Sequence, residues 1–344
     1  MIFEKYIESV KMFELNVISK SQDENLWADV SYKIEHFPVS YSKCNIDFQI
    51  EYFRSHGYQI FDFSLILYND GIVCGLFPLC LKFHNGQYSL DSFSKMLNEP
   101  LFINGVALKT KEKISTKIYE LLQELKEIYR IKNLELRSSF NHRQITKLQR
   151  SFLNNGAIVG CDFEMCVDLS MTLEDIKARF RKSYKSLISQ SLKLWNVEIF
   201  DYNNINEVEW LNFKELHHQV SGRKTRSDES WMMQLNDIRS KNSFYIALKN
   251  ELNELVGGGY FLITKDEAYY GVAAYRRELF DKPLGHLVQY KAIQYCKQLN
   301  LKWYKIGDRP FRHIVPEISD KEISIADFKE GFSTDLFPIP IFTI

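Results

Sequence analysis

The sequence predicts a mixed α/β fold, α+β in character with mixed sheets, built as two similarly ordered halves. Three observations carry this. Runs of β-branched and aromatic residues flank the turn signal Asn69-Asp70-Gly71, and apolar residues recur at three- and four-residue spacing from Ile114 to Ile128. The second half then follows the order of the first in a longer form.

The 344 residues favour two domains over one. Hydrophobic content of 45% with 26% charged residues excludes disorder, and the 14% aromatic share points to ring-lined cores or surfaces. A formal net charge of zero excludes a whole-molecule attraction to nucleic acid or to an anionic membrane, so any basic patch must be local. The six cysteines form no Cys-x-x-Cys pair and sit mostly in apolar runs, which reads as buried, reduced thiols. Ser64 to Leu81 is interrupted by Asn69-Asp70-Gly71, and Leu336 to Ile344 holds two prolines. No stretch therefore approaches the roughly 20 apolar residues of a membrane helix. Glu4 and Glu8 argue against an export signal, and the expectation is a cytoplasmic, soluble protein with no integral membrane segment.

Along the first half, Trp27, Val30, Tyr32 and Ile34 precede a break at Pro38, and a helix is expected near Asp47 to Arg54. Gln59 to Tyr68 and Ile72 to Phe83 read as the two strands of a hairpin, because Asn, Asp and Gly tolerate positive φ. Gln87 to Leu90 is a third strand. Lys111 to Tyr129 should be an amphipathic helix with Ile114, Ile118, Leu121, Leu122, Leu125 and Ile128 on one face. Asn133 to Arg137 reads as a short strand, and Ser139 to Ala157 as a poorly patterned connector. That connector sets the expected division: an N-terminal domain over 1–150, a C-terminal domain over 151–334 carrying the main site, and a tail over 335–344 that packs back on the first.

In the second half a strand over Phe163 to Leu169 leads to Thr172, an N-cap followed by Glu174 and Asp175. One continuous helix is expected, with Leu173, Ile176, Phe180, Tyr184 and Leu187 as its apolar stripe. Lys177, Arg181 and Lys185, at i, i+4 and i+8, would form a basic face that is either solvated surface or a phosphate-binding face. After a strand at Val197 to Phe200, a helix over Ile205 to Val220 should turn Val208, Leu211 and Leu216 inward and stop at Ser221-Gly222. Ser227 caps the next helix, packed through Trp231, Leu235 and Ile238. Strands follow at Ser243 to Lys249, Leu255 to Thr264 and Glu267 to Tyr275, then a helix announced by Asp281 and Pro283, then a strand at Lys302 to Ile306.

This order, with a helix launched from the loop after the long central strands, resembles the acyltransferase fold of the GNAT superfamily. Two such domains in tandem resemble the Fem-type transferases of the FemX and FemAB group. The residues that carry the resemblance are Phe213-x-x-Leu216 with Arg223 and Trp231, the basic segment Phe180-Arg181-Lys182-Ser183-Tyr184, and Phe328-Lys329-x-x-Phe332. It spans most of the chain and is densest from Phe180 to Ser333. The resemblance implies a bacterial transferase of cell wall or polysaccharide biogenesis that moves an amino acid from aminoacyl-tRNA to an amine, with no tightly bound cofactor. It also implies that Lys329 steadies the carbonyl region during transfer. Coenzyme A donors usually need a Gln/Arg-x-x-Gly-x-Gly/Ala loop for the pyrophosphate, and the corresponding run Arg276 to His286 offers only Gly285. That favours aminoacyl-tRNA over acyl-CoA, although free amides at Gly285 with Arg276, Arg277 and Lys282 could hold phosphate.

Acyl transfer to an amine needs a base and donors aimed at the developing oxyanion. Asp308 and His286 are the candidate bases, against the plainer readings of a turn residue before Pro310 and a helix-start histidine bonded to backbone. Arg223 and Arg226 suit an acceptor phosphate or carboxylate, against surface pairing with Asp228 or Glu229. Tyr269, Tyr270 and Tyr275 suit sheet packing as well as a substrate platform, with Tyr270 the better cleft candidate because its parity differs from that of Tyr269. His217 and His218 point about 100° apart on a helix, so no metal is assigned. The reading is an N-acyl or aminoacyl transferase acting on an amine of a cell-envelope or surface-glycan precursor, nucleotide-sugar or lipid-linked. Its rivals are an acyl-CoA-dependent N-acetyltransferase of an amino sugar and a non-catalytic module that binds RNA or an anionic glycan.

Overall fold

A computed structural model describes residues 6, 17–19, 23–140 and 144–344. The chain divides into two compact units, Met1–Asp162 with Pro338–Ile344, and Phe163–Phe337.

In the first unit, strand β1 (Val17–Ser19) precedes helices α1 (Glu24–Lys33) and α2 (Lys43–Ser55). Asp23 and Ser42 cap these helices by accepting the N–H of Leu26 and Asn45. The two long hairpin strands expected from sequence are each divided. Gln59 to Tyr68 becomes β2 (Gln59–Asp62) and β3 (Leu65–Asn69); Ile72 to Phe83 becomes β4 (Ile72–Phe77) and β5 (Cys80–His84). The Asp70-Gly71 turn joins β3 to β4 with both residues at positive φ, as the residue types require. β1, β3, β4 and the short β7 (Leu101–Phe102) form one sheet, while β2, β5 and β6 (Gln87–Asp91) form another. The change of sheet falls at Pro78, which has no N–H for a ladder. Helix α3 (Leu108–Ile128) buries Ile114, Ile118, Leu121, Leu122 and Leu125, the stripe its spacing announces.

After β8 (Glu135–Arg137) the expected connector contains a helix, α4 (Lys147–Asn154). Its start is a capping box: Thr146 accepts from the Gln149 N–H and Gln149 accepts from the Thr146 N–H. The end of the last strand, β15 (Asp335–Thr343), pairs Ile341–Phe342–Thr343 with Arg137–Leu136–Glu135.

The second unit is a sheet with helices on both faces. Strand β9 (Ile158–Asp168) is followed by α5 (Leu173–Arg179), α6 (Tyr184–Leu194), β10 (Asn196–Phe200), α7 (Glu207–Ser221) and α8 (Asp228–Arg239). β11 (Ser243–Lys249), β12 (Leu255–Ile263), β13 (Glu267–Tyr275), α9 (Gly285–Gln298), β14 (Trp303–Asp308) and α10 (Asp320–Glu330) complete it. The strand order is β10-β11-β12-β13-β14-β9, antiparallel except for the parallel pair β13 and β14. That pair is in register only over Glu267–Tyr269 against Trp303–Lys305, after which β13 runs on to Tyr275 while β14 continues to Asp308 paired only with β9 on its other edge. The two strands part there, and the opening holds the residues described below.

Two expectations are corrected in this unit. The basic helix is broken: Phe180 ends α5 in an extended conformation, ψ 148°, and α6 begins at Tyr184. Lys177, Arg181 and Lys185 therefore share no continuous face. The break lets Phe180 and Tyr184 both reach Phe332, at 5.2 and 4.6 Å between ring centroids, and burial of the three rings outweighs helix continuity. Helix α7 is also rotated from its expected setting. Trp210, Phe213 and Leu216 are buried, whereas Val208 is 67% and Leu211 39% exposed. The larger aromatic area wins the core face.

Adjacent positions on β11 separate the two faces of the sheet. Tyr245 and its partner Tyr260 pack against Trp210 of α7, and Trp210 meets Trp231 of α8. Phe244 and its partner Phe261 stack on the other face, where Phe261 also stacks on Tyr270.

Candidate active site

Lys329 comes from the last turn of α10 and reaches the opening between β13 and β14. Its Nζ stands 5.3 Å from the Tyr270 ring centroid. Against it lies Gly307 of β14, at φ 139°, where a Cβ would be 3.0 Å from Nζ. The backbone conformation favours glycine there, and a Cβ would press on the Lys329 amine. Burial pulls the Lys329 ammonium below its usual pKa, and the carboxylate of Asp308 opposes that shift. Asp308 is the exposed last residue of β14, in the ladder opposite Glu164 and two positions before Pro310. The next residue, Arg309, is held by Asp327 at 2.6 Å and Glu330 at 2.7 Å, which ties β14 to α10.

His286, in the first turn of α9, lies in an aromatic ring made by Tyr184 at 4.6 Å, Phe328 at 5.1 Å and Phe332 at 6.0 Å. Its Nδ1 is buried without a hydrogen-bond partner, so the helix-start histidine bonded to backbone does not describe this nitrogen. Burial and then the nearby Arg181 charge hold its pKa down to about 4, which keeps the imidazole neutral at pH 7. Arg181 sits in the break between α5 and α6, donating to the Asp327 carbonyl at 2.7 Å and lying 5.2 Å from the Tyr184 ring. Lys329, Tyr270 and Asp308 thus share the opening, while His286 and Arg181 lie with Tyr184 and Phe328, the neighbour of Lys329 in sequence. Lys185 is exposed on α6.

The β13–α9 loop brings Gly285 to the same opening: a Cβ there would lie 2.9 Å from Phe328 Cζ and 3.4 Å from Tyr275 Cζ. Arg276 is half-buried, while Arg277 and Lys282 are exposed, with Lys282 5.9 Å from the Trp195 ring. Helix α9 starts without a side-chain cap. Its first amides, together with these cations, are what this loop offers to phosphate.

Arg226 belongs elsewhere. Its guanidinium lies 3.5 Å from the Trp231 ring and is buried, on the face of the sheet away from Lys329. Arg223 is exposed, and the partners of Asp228 are Lys214 and Lys224 rather than Arg223. His217 and His218 both turn an edge to Trp231, at 5.2 and 6.0 Å. Among the described residues no group of three or more His, Cys, Asp or Glu could hold a metal. A cavity of about 360 Å3 in the first unit, lined by Tyr88, Tyr129, Arg130 and Lys132 among others, contains no carboxylate or histidine and assembles no acyl-transfer chemistry.

Sequence reasoning passed over Gly307 and Gln289. A glycine inside a strand ending beside a carboxylate, and a glutamine in the apolar run Leu287-Val288-Gln289-Tyr290, were the available signals.

No protein-family model matches the chain, and no curated protein matches it. Among solved structures, FemX aligns with a TM-score of 0.64 at 12% identity, over 92% of this chain and 95% of FemX. L-PGS from Bacillus licheniformis gives 0.58 at 11% identity, over 93% and 91% of the two chains. A tandem GNAT protein from the clavulanic acid biosynthesis pathway gives 0.50 at 12% identity, over 95% and 97%. Among the described residues no helix is long and apolar enough to cross a membrane. With both units covered in all three alignments, the chain has the tandem GNAT fold of the Fem-type proteins.

Proposed function

We propose that the protein is an N-acyl or aminoacyl transferase acting on an amine of a cell-envelope or surface-glycan precursor. The observation that supports this most directly is Lys329: a buried amine, poised with a lowered pKa, in the opening where two parallel strands part. A cation or N–H donor at that place opposes the negative charge that grows on a carbonyl oxygen under attack. Asp308 is at the mouth of the opening and serves as the base for the attacking ammonium; neutral His286 is the alternative. Arg181 is the charge nearest the site for an anionic acceptor, with Arg223 and Lys185 on the surface. Arg226, across the sheet, packs on Trp231 of α8 and reads as structural support.

The fold it shares with FemX and L-PGS is consistent with an aminoacyl-tRNA donor, and the single glycine of the Arg276–His286 loop favours that donor over coenzyme A. The test supplies aminoacyl-tRNA or acetyl-CoA with amino-sugar nucleotides and seeks an amide product by mass spectrometry. Formation with aminoacyl-tRNA, lost in Lys329→Ala, supports the reading. Product from acetyl-CoA alone moves the donor to coenzyme A, and salt-dependent RNA binding with no turnover of any donor replaces the enzyme by a binding module.

A further inference from the structure

Lys329 is carried by the last turn of α10, and the backbone of that turn is fastened by a segment that the reading above leaves without a task. The last four carbonyls of a helix, its C-cap included, have no partner within it. In α10 these belong to Phe328, Lys329, Glu330 and the C-cap Gly331. The chain that follows satisfies two of them: the Phe332 N–H donates to Lys329 and the Ser333 N–H to Glu330, each at 3.0 Å. The other two are reached from the break between α5 and α6. Tyr184 Oη donates to the Phe328 carbonyl at 3.1 Å, and the Arg181 N–H donates to that of Gly331 at 2.8 Å. Arg181 Nη2 adds a bond to the Asp327 carbonyl at 2.7 Å.

Tyr184 is the centre of this grip. It is 4% exposed, and burial raises its phenol above the usual pKa, so the hydroxyl keeps the proton it donates. Its ring lies against Gly331, where a Cβ would be 2.6 Å from Cζ and 2.8 Å from Oη. Gly331 has φ −62°, which any residue adopts, so glycine serves the approach of the ring and not the backbone conformation. The far end of α6 is fixed as well: Ser191 Oγ and, at 3.1 Å, Trp195 Nε1 both donate to the Pro283 carbonyl. Tyr184 therefore stands on a helix anchored at both ends. On the side of β14, Arg309 holds Asp327 and Glu330 by their side chains. From the turn so held, the Lys329 side chain extends to the Tyr270 ring and Gly307.

We propose that Tyr184 is a positioning residue for acyl transfer: its hydroxyl, by holding the Phe328 carbonyl, keeps the last turn of α10 in the place from which Lys329 reaches the opening. The proposal rests on the acyl-transfer reading. Tyr184 meets neither donor nor acceptor and acts through Lys329. Helix ends fray where their carbonyls lose a partner, and a misplacement of about 1 Å can cost a reaction about 100-fold in rate.

The test measures amide formation by the full chain with aminoacyl-tRNA and, separately, acetyl-CoA, each with amino-sugar nucleotides. Tyr184→Phe keeps the ring and removes the hydrogen bond; kcat should fall about tenfold, with donor KM within about twofold of the wild type. Gly331→Ala, which drives a Cβ into the Tyr184 ring, should lower kcat about 100-fold. In a Lys329→Ala background, assayed at enzyme concentrations that bring its residual rate into range, Tyr184→Phe should change turnover by less than about twofold, because its effect passes through Lys329. Melting temperatures within about 5 °C of the parent show that each variant is folded. If Tyr184→Phe does not fold, Gly331→Ala is compared in the same two backgrounds and decides the matter. A Tyr184→Phe kcat within about twofold of the wild type overturns the proposal and spares the acyl-transfer reading. An equal fall in both backgrounds, or a rise in donor KM with kcat unchanged, gives Tyr184 a role apart from Lys329 and also overturns it. No product from any donor with the wild type removes the reading and this proposal with it.

Discussion

Two buried lysines lie against the same strand and are treated in opposite ways. Lys305, on β14, faces Glu267 at 3.2 Å and Glu164 at 3.5 Å. Burial disfavours its charge, but the two carboxylates outweigh burial and raise its pKa. Lys329, brought to β14 from α10, meets the Tyr270 ring and feels the charge of Asp308; there burial prevails and the pKa falls. Burial of an amine alone says little about its role. What differs is the charge around it: a lysine with two carboxylates is locked as a cation within a structural cluster, whereas one with an aromatic ring is left with unspent capacity to donate toward a ligand.

The comparison is broken most directly by removing each charge. Lys305→Met leaves Glu267, 1% exposed, facing Glu164 without its cation. A loss of about 3–5 kcal/mol in urea unfolding is expected. Lys329→Met should do the reverse, equalling or exceeding the wild type in stability while turnover falls about 100- to 1000-fold. A Lys329 variant that unfolds as easily as the Lys305 variant would place both residues in the same structural class.

A smaller effect is expected at Gly307, whose substitution by Ala forces a Cβ against the Lys329 amine in backbone that L residues rarely adopt. The cost should be about 1–3 kcal/mol in thermal or urea unfolding, with turnover falling as Lys329 is displaced. The pH dependence follows from the neighbouring His286. Its pKa of about 4 in the folded chain lies below the usual 6.5, so the unfolded chain binds the extra proton between those values. The stability His286 contributes is therefore whole above about pH 6.5 and is lost as pH falls towards 4. His217, also lowered to about 4 by burial, Arg226 and His218, adds a slope of the same sign. In unfolding curves at pH 7 and pH 4.5, His286→Phe should flatten this loss without abolishing it. Least affected should be Arg223→Ala, whose exposed side chain predicts a stability change within about 0.5 kcal/mol, any effect appearing instead in acceptor KM.

Local signals in the sequence reached far into the fold. The spacing from Ile114 to Leu125, the Asp70-Gly71 turn, the Ser227 cap and Gly222 in the left-handed conformation after α7 each appear where short-range chemistry puts them. The capping box Thr146-x-x-Gln149 was equally local, but it lay in a stretch with weak apolar periodicity and so read as a connector. Helix continuity through Phe180 failed for a different reason. Phe332 lies far along the chain, and periodicity carries no information about which distant ring will compete for Phe180 and Tyr184.

The sequence by itself therefore determined the kinds of element and their order, because these depend on neighbours within a few positions. Only the tertiary structure decided that Lys329 meets Tyr270 and the charge of Asp308 while Arg226 lies across the sheet. It decided too that one lysine of β14's surroundings is neutralised by carboxylates and the other is not. A pKa, a hydrogen-bond direction and a shared face are set by charges and strands distant in sequence, whose placement follows from packing the whole unit.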